Sequence, residues 1–185
     1  MTEPRTRTFV LAGAVALLVV FAVHFLNFPG SVPRFKETSG GGVLLDVSPA
    51  FSVDAVYKRL ADYGAEGRKS YSFRNVTVDV ILPLSILPFL FLLMRRAVTS
   101  LRPRRSLRVL LLSVPFVYVL FDLAENAAVL ALLANYPERM DLLAGSLPYV
   151  TVVKRVASLL AIIIPLAILA IQFLRGRFQK SLRPA

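Results

Sequence analysis

Apolar residues in this chain are gathered into four long runs, which polar or basic segments separate. The runs cover residues 9–26, 76–94, 109–133 and 149–174, and a helix needs roughly 17–25 such residues to cross the hydrocarbon core of a bilayer. With 56% hydrophobic residues, the composition is that of a membrane protein. We therefore expect an all-α membrane protein, a four-transmembrane-helix bundle that forms a single membrane domain over residues 1–185. Extended to their polar ends, the predicted spans are 9–26, 71–94, 107–134 and 148–174, followed by a basic tail at 175–185.

The first outer loop, residues 27–70, is the longest polar stretch. Its prolines and three successive glycines predict a loop over 29–42, and 43–47 could form a short strand without an obvious partner. Ser48 or Ser52 can then cap a helix. Apolar residues recur on one face of that helix, at Val53, Val56, Tyr57 and Leu60. The pattern predicts a short extracytoplasmic amphipathic helix over 53–63, either packed over the bundle or lying on the membrane surface.

Basic residues give the chain a net charge of +11. They are dense at 5–7, at 95–108 and in the tail at 175–185, which are ends of the predicted spans. This positive-inside pattern predicts that both termini and the connection between the second and third spans face the cytoplasm. We therefore expect an integral protein of a bacterial cytoplasmic membrane, with membrane lipids as partners and no nucleic-acid partner. A homo-oligomer is compatible with this arrangement.

Cysteine is absent from the sequence, and His24 is the single histidine. Disulfides, thiolate metal sites, a cysteine nucleophile and a multi-histidine metal site are therefore excluded. A cation held by oxygen ligands remains possible, although we expect neither a metal nor a cofactor. His24 falls near the outer end of the first span, where a histidine hydrogen-bonded to its own helix is the simplest interpretation.

Polar side chains inside the apolar runs are the candidate functional residues. An ionisable residue inside a membrane costs at least ~2.5–3.5 kcal/mol, so it is seldom without a role. In the third span, one helical face carries Tyr118, Asp122, Glu125 and Asn126. Two further stripes accompany it, formed by Tyr71, Asn75 and Asp79 in the second span and by Thr151, Lys154, Arg155 and Ser158 in the fourth.

The three stripes are predicted to meet at one depth. With a rise of ~1.5 Å per residue, Asp122 lies ~20 Å above the cytoplasmic start of its span. By the same rise, Asp79 and Lys154 lie ~5 Å and ~7 Å inside the outer boundary. The polar groups thus fall in roughly the outer third of a ~30 Å core. Because unpaired charges are costly to desolvate, we expect Lys154 or Arg155 to pair with Asp122 or Glu125.

Prolines interrupt the apolar part of three spans, at Pro83, Pro88, Pro115 and Pro165. Each removes the N–H that would satisfy the carbonyl one turn earlier. A membrane helix tolerates this only where a neighbour or water satisfies the freed carbonyl, and it usually kinks there. We expect the helices to separate above these positions and to open space around the polar cluster.

The polar cluster is consistent with several functions. We expect a pocket, open to the outer face, that binds a lipid headgroup or small amphiphile. Ten residues are predicted to line it, namely His24, Tyr71, Asn75, Asp79, Tyr118, Asp122, Glu125, Asn126, Lys154 and Arg155. In an enzyme, Asp122 or Glu125 would be the general acid or base and Lys154 or Arg155 the electrophilic partner. No nucleophile motif, phosphate loop or metal signature favours a particular reaction. The alternatives are a proton-coupled small-solute transporter, a charged network that only fixes helix register, and an assembly protein that contacts a partner through residues 27–75.

Overall fold

The computed structural model describes residues 6–181, with side chains described as far as Arg175, and this part of the chain contains helices and no strand. The helices are α1 (Thr6–Phe25), α2 (Val32–Thr38), α3 (Val53–Asp62), α4 (Gly64–Val76), α5 (Val78–Leu101), α6 (Arg105–Asn135) and α7 (Asp141–Ser181). Four segments are long and apolar enough to cross a membrane, namely Thr6–Phe25, Gly64–Leu101, Arg105–Asn135 and Asp141–Arg175. The predicted set of four apolar helices is thus confirmed, whereas the position of the bilayer along them stays a prediction.

Three of the long helices form the centre of the bundle, and α1 is peripheral. Helices α5, α6 and α7 pack against one another, whereas α1 packs along α5 and against α2. The close approach of α1 depends on Gly13, because a Cβ at this position would lie 3.2 Å from the ring of Phe89 on α5. Because α1 is peripheral, it leaves most of its apolar side chains exposed, as a helix facing lipid would.

Residues 26–63, called the cap here, fold over one end of the bundle. Their apolar side chains share a core with Tyr71 of α4 and with the neighbouring ends of α6 and α7. Within the cap, α3 buries the face that the sequence predicts, including Val56 and Leu60. Ser52 caps this helix by accepting a hydrogen bond from the Ala55 amide at 3.2 Å. The Tyr57 hydroxyl donates to the Glu138 carbonyl at 3.1 Å, which joins α3 to the connection between α6 and α7.

The first half of the cap differs from the predicted loop over 29–42, because it contains α2. Ser31 accepts a hydrogen bond from the Arg34 amide at 3.3 Å, and Pro33 lies in the first turn. Proline is compatible with a first helical turn, where its missing N–H would have no partner in any case. These two residues are the signal in the sequence for α2. Residues 43–47 form no strand, since no neighbouring strand exists in the described chain, and residues 45–47 form a turn.

Two helix bounds also differ from the sequence prediction. The predicted second span is interrupted at Thr77, where φ is −119° and ψ is −83°, so α4 and α5 are separate helices. The stripe of Tyr71, Asn75 and Asp79 therefore does not lie on one continuous helix. The connection predicted before Pro148 is helical from Asp141 onward, because Ala144 and Leu147 are buried in the core that the cap shares with the bundle.

Candidate functional site

A cavity of about 330 Å³ lies where α1, the cap, α5 and α6 meet. Its polar lining comes from these four parts and from the end of α4, and it includes His24, Asp46, Arg74, Asp79, Asp122 and Asn126. Apolar side chains of the cap and of α5 line the rest, including Phe35, Leu44 and Leu82. The lining also includes the exposed residues Lys36, Val43 and Val47, which form its mouth at the edge of the cap.

A buried ion pair lies at the break between α4 and α5. Arg74 contacts the Asp79 carboxylate at 2.7 Å, and the two side chains are only 3% and 7% exposed. Arg74 also donates to the Gly30 carbonyl at 2.8 Å, which attaches the start of α5 to the turn before α2. A Cβ at Gly30 would lie 2.6 Å from the Val78 side chain, and the φ of Gly30 is +89°, so this close approach requires glycine.

Asn126 joins α6 to α5 inside the cavity. Its side-chain amide donates to the backbone carbonyl of Asp79 at 2.7 Å and to the Asp122 carboxylate at 3.3 Å. The Asp79 carbonyl is the one that Pro83 deprives of its helical N–H. The amide of Asn126 therefore satisfies a carbonyl that the sequence predicts to need an outside partner.

A second group of charges lies behind the cavity, between α6 and α7. Lys154 contacts Glu125 directly and approaches Asp122 at 3.3 Å. The Glu125 side chain is fully buried, and its carboxylate also accepts a hydrogen bond from the Thr151 hydroxyl. The expected pairing of the basic residues of the fourth span with its acidic neighbours thus involves Lys154, which contacts both carboxylates.

The cap loop 43–48 closes the cavity, and polar contacts fix its course. The hydroxyl of buried Tyr71 donates to the Asp46 carboxylate and accepts from the Leu45 amide, both at 3.2 Å. Arg155 donates to the carbonyls of Asp46 at 2.7 Å and Val47 at 2.5 Å. The hydroxyl of Tyr63 donates to the Val43 carbonyl at 2.6 Å, and burial raises the pKa of Tyr63. Arg155, which is exposed, thus binds the loop instead of pairing with a carboxylate of the third span.

The ten predicted site residues have different positions relative to the cavity. Those that line it are His24, Asp79, Asp122 and Asn126. Two others, Tyr71 and Arg155, hold its loop, and Glu125 and Lys154 form the ion network behind it. The remaining two, Asn75 and Tyr118, lie outside the lining. Asn75 is buried, and its Nδ2 has no hydrogen-bond partner among the described residues.

Sequence reasoning did not include Asp46 and Arg74 in the site. Arg74 can be recognised in the sequence as a positive charge near the outer boundary, and such a residue is a natural partner for Asp79. Asp46 has no comparable local signal, since it reaches the cavity only through the folding of the cap.

Of the catalytic candidates Asp122, Glu125 and Lys154, only Asp122 lines the cavity. The described residues contain no group of three or more acidic or histidine side chains arranged to hold a metal ion. His24 is exposed, and its Nδ1 lies 2.8 Å from the Val20 carbonyl of its own helix, the local hydrogen bond expected for it.

Comparison of the chain with protein-family models, with curated proteins and with solved structures finds no match. The class of protein is therefore defined by the fold alone, as a helical protein with four helices able to cross a membrane. The function proposed below rests on the geometry of the cavity.

Proposed function

We propose that this protein is an integral membrane protein that binds a lipid headgroup or a small amphiphile in the cavity beneath its cap. The observation that carries the proposal is one open cavity of about 330 Å³, which is lined by polar groups in one part and by apolar side chains in another. Polar groups at the helix break would hold a headgroup, while the apolar side chains of Phe35, Leu44 and Leu82 would contact the start of a chain. Ligand sites commonly combine apolar walls with a few placed polar groups in this way.

The position of α1 supports entry of an amphiphile from the membrane. Helix α1 packs on α5 and α2, while α6 packs on α5 and α7. His24 of α1 and Asp122 of α6 both line the cavity, so the cavity extends between two helices that are held together mainly through α5. A lipid in the outer leaflet would reach the polar groups beside α1 without crossing the bundle.

The opposite half of the bundle argues against a transport pathway. There, Met94, Val98 and Leu111 form a buried apolar cluster, and Ile164 and Ile168 of α7 pack against it. A solute leaving the cavity toward that end would have to pass this apolar cluster. Binding therefore fits the described residues better than passage does.

The ion network accounts for part of the buried charge without any ligand. Glu125, Lys154 and Thr151 satisfy one another between α6 and α7, which is what a network that fixes helix register requires. The same explanation does not extend to the cavity, because a register network needs no open space. The proposal thus assigns a structural role to Glu125 and a ligand-binding role to Asp122 and Asn126.

A tryptophan scan tests the proposal, because the chain contains no tryptophan. Val47 lines the mouth and is 56% exposed, and Leu159 on α7 is equally exposed at 55% but lies outside the cavity lining. In lipid nanodiscs, a brominated dodecyl amphiphile should quench Val47→Trp with saturation and Leu159→Trp only in proportion to its membrane concentration. Equal, unsaturated quenching at both positions would contradict binding in this cavity.

A further inference from the structure

We infer that the ligand of this cavity carries an ammonium group, so that the site is selective for amine-bearing amphiphiles over neutral or anionic ones. This inference rests on the proposed function, whose site it specifies. It follows from the excess of carboxylates at the cavity over the cations that neutralise them.

The charges at the cavity and in the network behind it can be paired one by one. Arg74 forms its ion pair with Asp79. Lys154 is shared between Glu125 and Asp122, and its contact with Glu125 is the closer one. Arg74 and Lys154 thus serve three carboxylates, those of Asp79, Asp122 and Glu125, whereas the carboxylate of Asp46 has no ion pair among the described residues. Two further cations, Lys36 at the mouth and Arg155 on the carbonyls of the cap loop, form no ion pair with these four carboxylates among the described residues. Excess charge of one sign in a desolvated site favours a ligand of the opposite sign.

Asp46 is the carboxylate best placed for a ligand. Among the described residues, no lysine or arginine forms an ion pair with its side chain, and its polar contact is the hydrogen bond from the Tyr71 hydroxyl at 3.2 Å. Asp46 lines the cavity on the cap side, while Asp122 lines it on the α6 side. An ammonium group between them would donate to both carboxylates, as a charge-assisted hydrogen-bond donor prefers.

An anionic headgroup fits the same lining poorly. Of the described cationic side chains in the lining, Arg74 is already bound to Asp79 and to the Gly30 carbonyl. The other is Lys36, which is exposed at the mouth. A zwitterionic phospholipid could place its ammonium group at the carboxylates and its phosphate near Lys36. The shared chemistry is therefore an ammonium group on an apolar chain, whether it belongs to a free amine or to an ethanolamine lipid.

Competition against a brominated dodecyl probe tests the charge preference with the full chain in nanodiscs. The competitors are dodecylamine, dodecanol and dodecanoate, which share one chain length and differ in headgroup charge. We expect dodecylamine to compete at least about tenfold better than dodecanol, the ratio typical of one added hydrogen bond to a charged group. Nanodiscs of phosphatidylethanolamine against phosphatidylglycerol with the same acyl chains then show whether a lipid supplies the ammonium group.

Two substitutions with opposite expected effects on amine binding distinguish a change of charge at the site from a loss of folding. Asp46→Asn should remove most of the preference for the amine, whereas the same change at exposed Asp62 on α3 should not. Lys36→Gln removes a positive charge from the mouth and should strengthen amine binding, which an unfolded variant cannot do. Equal competition by all three dodecyl compounds would overturn the ammonium inference and leave the proposed function standing. Failure of every compound to compete would instead overturn the proposed function.

Discussion

The side-chain amide of Asn126 donates a hydrogen bond of 2.7 Å to the backbone carbonyl of Asp79. In an uninterrupted helix this carbonyl would accept from the residue four positions later, which here is Pro83 and has no N–H. Asn126 is 8% exposed and Asp79 6%, so a side chain that is itself buried supplies the partner for the freed carbonyl. One amide on α6 thus compensates for a proline on α5 and places both residues at the cavity.

We predict that Asn126 and Pro83 are energetically coupled. Asn126→Ala should destabilise the protein by about 1–3 kcal/mol, the cost of leaving a buried polar group unsatisfied. In a Pro83→Ala background the cost should be clearly smaller, because the alanine N–H can bond the Asp79 carbonyl within the helix. Unfolding in mixed micelles with increasing dodecyl sulfate, followed by circular dichroism, gives the double-mutant cycle.

The neighbouring proline of α5 provides the control for this cycle. Pro88 frees the carbonyl of Leu84, which is 47% exposed and is not bonded to Asn126. Pro88→Ala should therefore leave the cost of Asn126→Ala unchanged. If the Pro83 background also leaves it unchanged, Asn126 does not act through the freed carbonyl.

We predict that Lys154 is coupled more strongly to Glu125 than to Asp122. Lys154→Met leaves a fully buried carboxylate without its cation, and breaking a buried pair in this way costs roughly 3–5 kcal/mol. Adding Glu125→Gln should recover most of that loss. Adding Asp122→Asn should recover less, since Asp122 is 13% exposed and lines the cavity, where water can reach it.

The exposed pair of Lys58 and Asp62 calibrates the same measurement. Its side chains are 74% and 58% exposed, so breaking it should cost less than about 1 kcal/mol. Additive effects of Lys154→Met and Glu125→Gln would mean that the ion network contributes no coupling between α6 and α7.

The ion network was predictable from the sequence, because the need to pair its charges can be read from each apolar run by itself. Charges inside an apolar run must be paired, and Lys154 and Arg155 lie at a matching depth on another span. The choice between these two was not predictable. It depends on the cap loop, whose carbonyls at Asp46 and Val47 bind Arg155 and leave Lys154 to the carboxylates.

The cap is the part of the fold for which the sequence pattern is weakest. The face of α3 follows a helical period, so Val56 and Leu60 could be assigned to a buried side. The loop that carries Asp46 has no period, and its course is set by contacts with Tyr71, which is 25 residues later in the chain. Sequence patterns report local geometry, and a cavity built between distant segments leaves no such trace.

We predict opposite effects of alanine at two helical glycines. At Gly67 on α4, a Cβ would lie 2.9 Å from the Ser39 Cβ and 3.0 Å from its Cα, so α4 would have to move away from the end of α2. Gly67→Ala should destabilise by about 1–3 kcal/mol, as overpacked sites do. At Gly145 on α7, the nearest atom is 3.7 Å away in Val53, and alanine there should be neutral or stabilising by up to about 1 kcal/mol.

The two glycine variants share one chemical change and differ only in the space around it. Thermal unfolding of both in the same detergent therefore isolates the contact between α4 and α2. Equal stability of the two variants would show that the cap does not pack on α4 as closely as described.

The last prediction concerns orientation, on which entry from the outer leaflet depends. The basic residues of the connection between α5 and α6 predict that this end faces the cytoplasm and that the cap faces outward. Because the chain has no cysteine, single cysteines can report each side. Glu66 at the start of α4 and Ser106 at the start of α6 are both exposed and lie at opposite ends of the bundle. They also avoid the loop glycines such as Gly41, whose φ of +89° would strain a substitution.

In intact cells, an impermeant maleimide should label Glu66→Cys and should label Ser106→Cys only after permeabilisation. The cysteine-free parent is the control for background labelling. The reverse pattern would place the cap and its cavity in the cytoplasm. The lipid headgroups within reach would then be those of the inner leaflet, and a ligand arriving from outside the cell would be excluded.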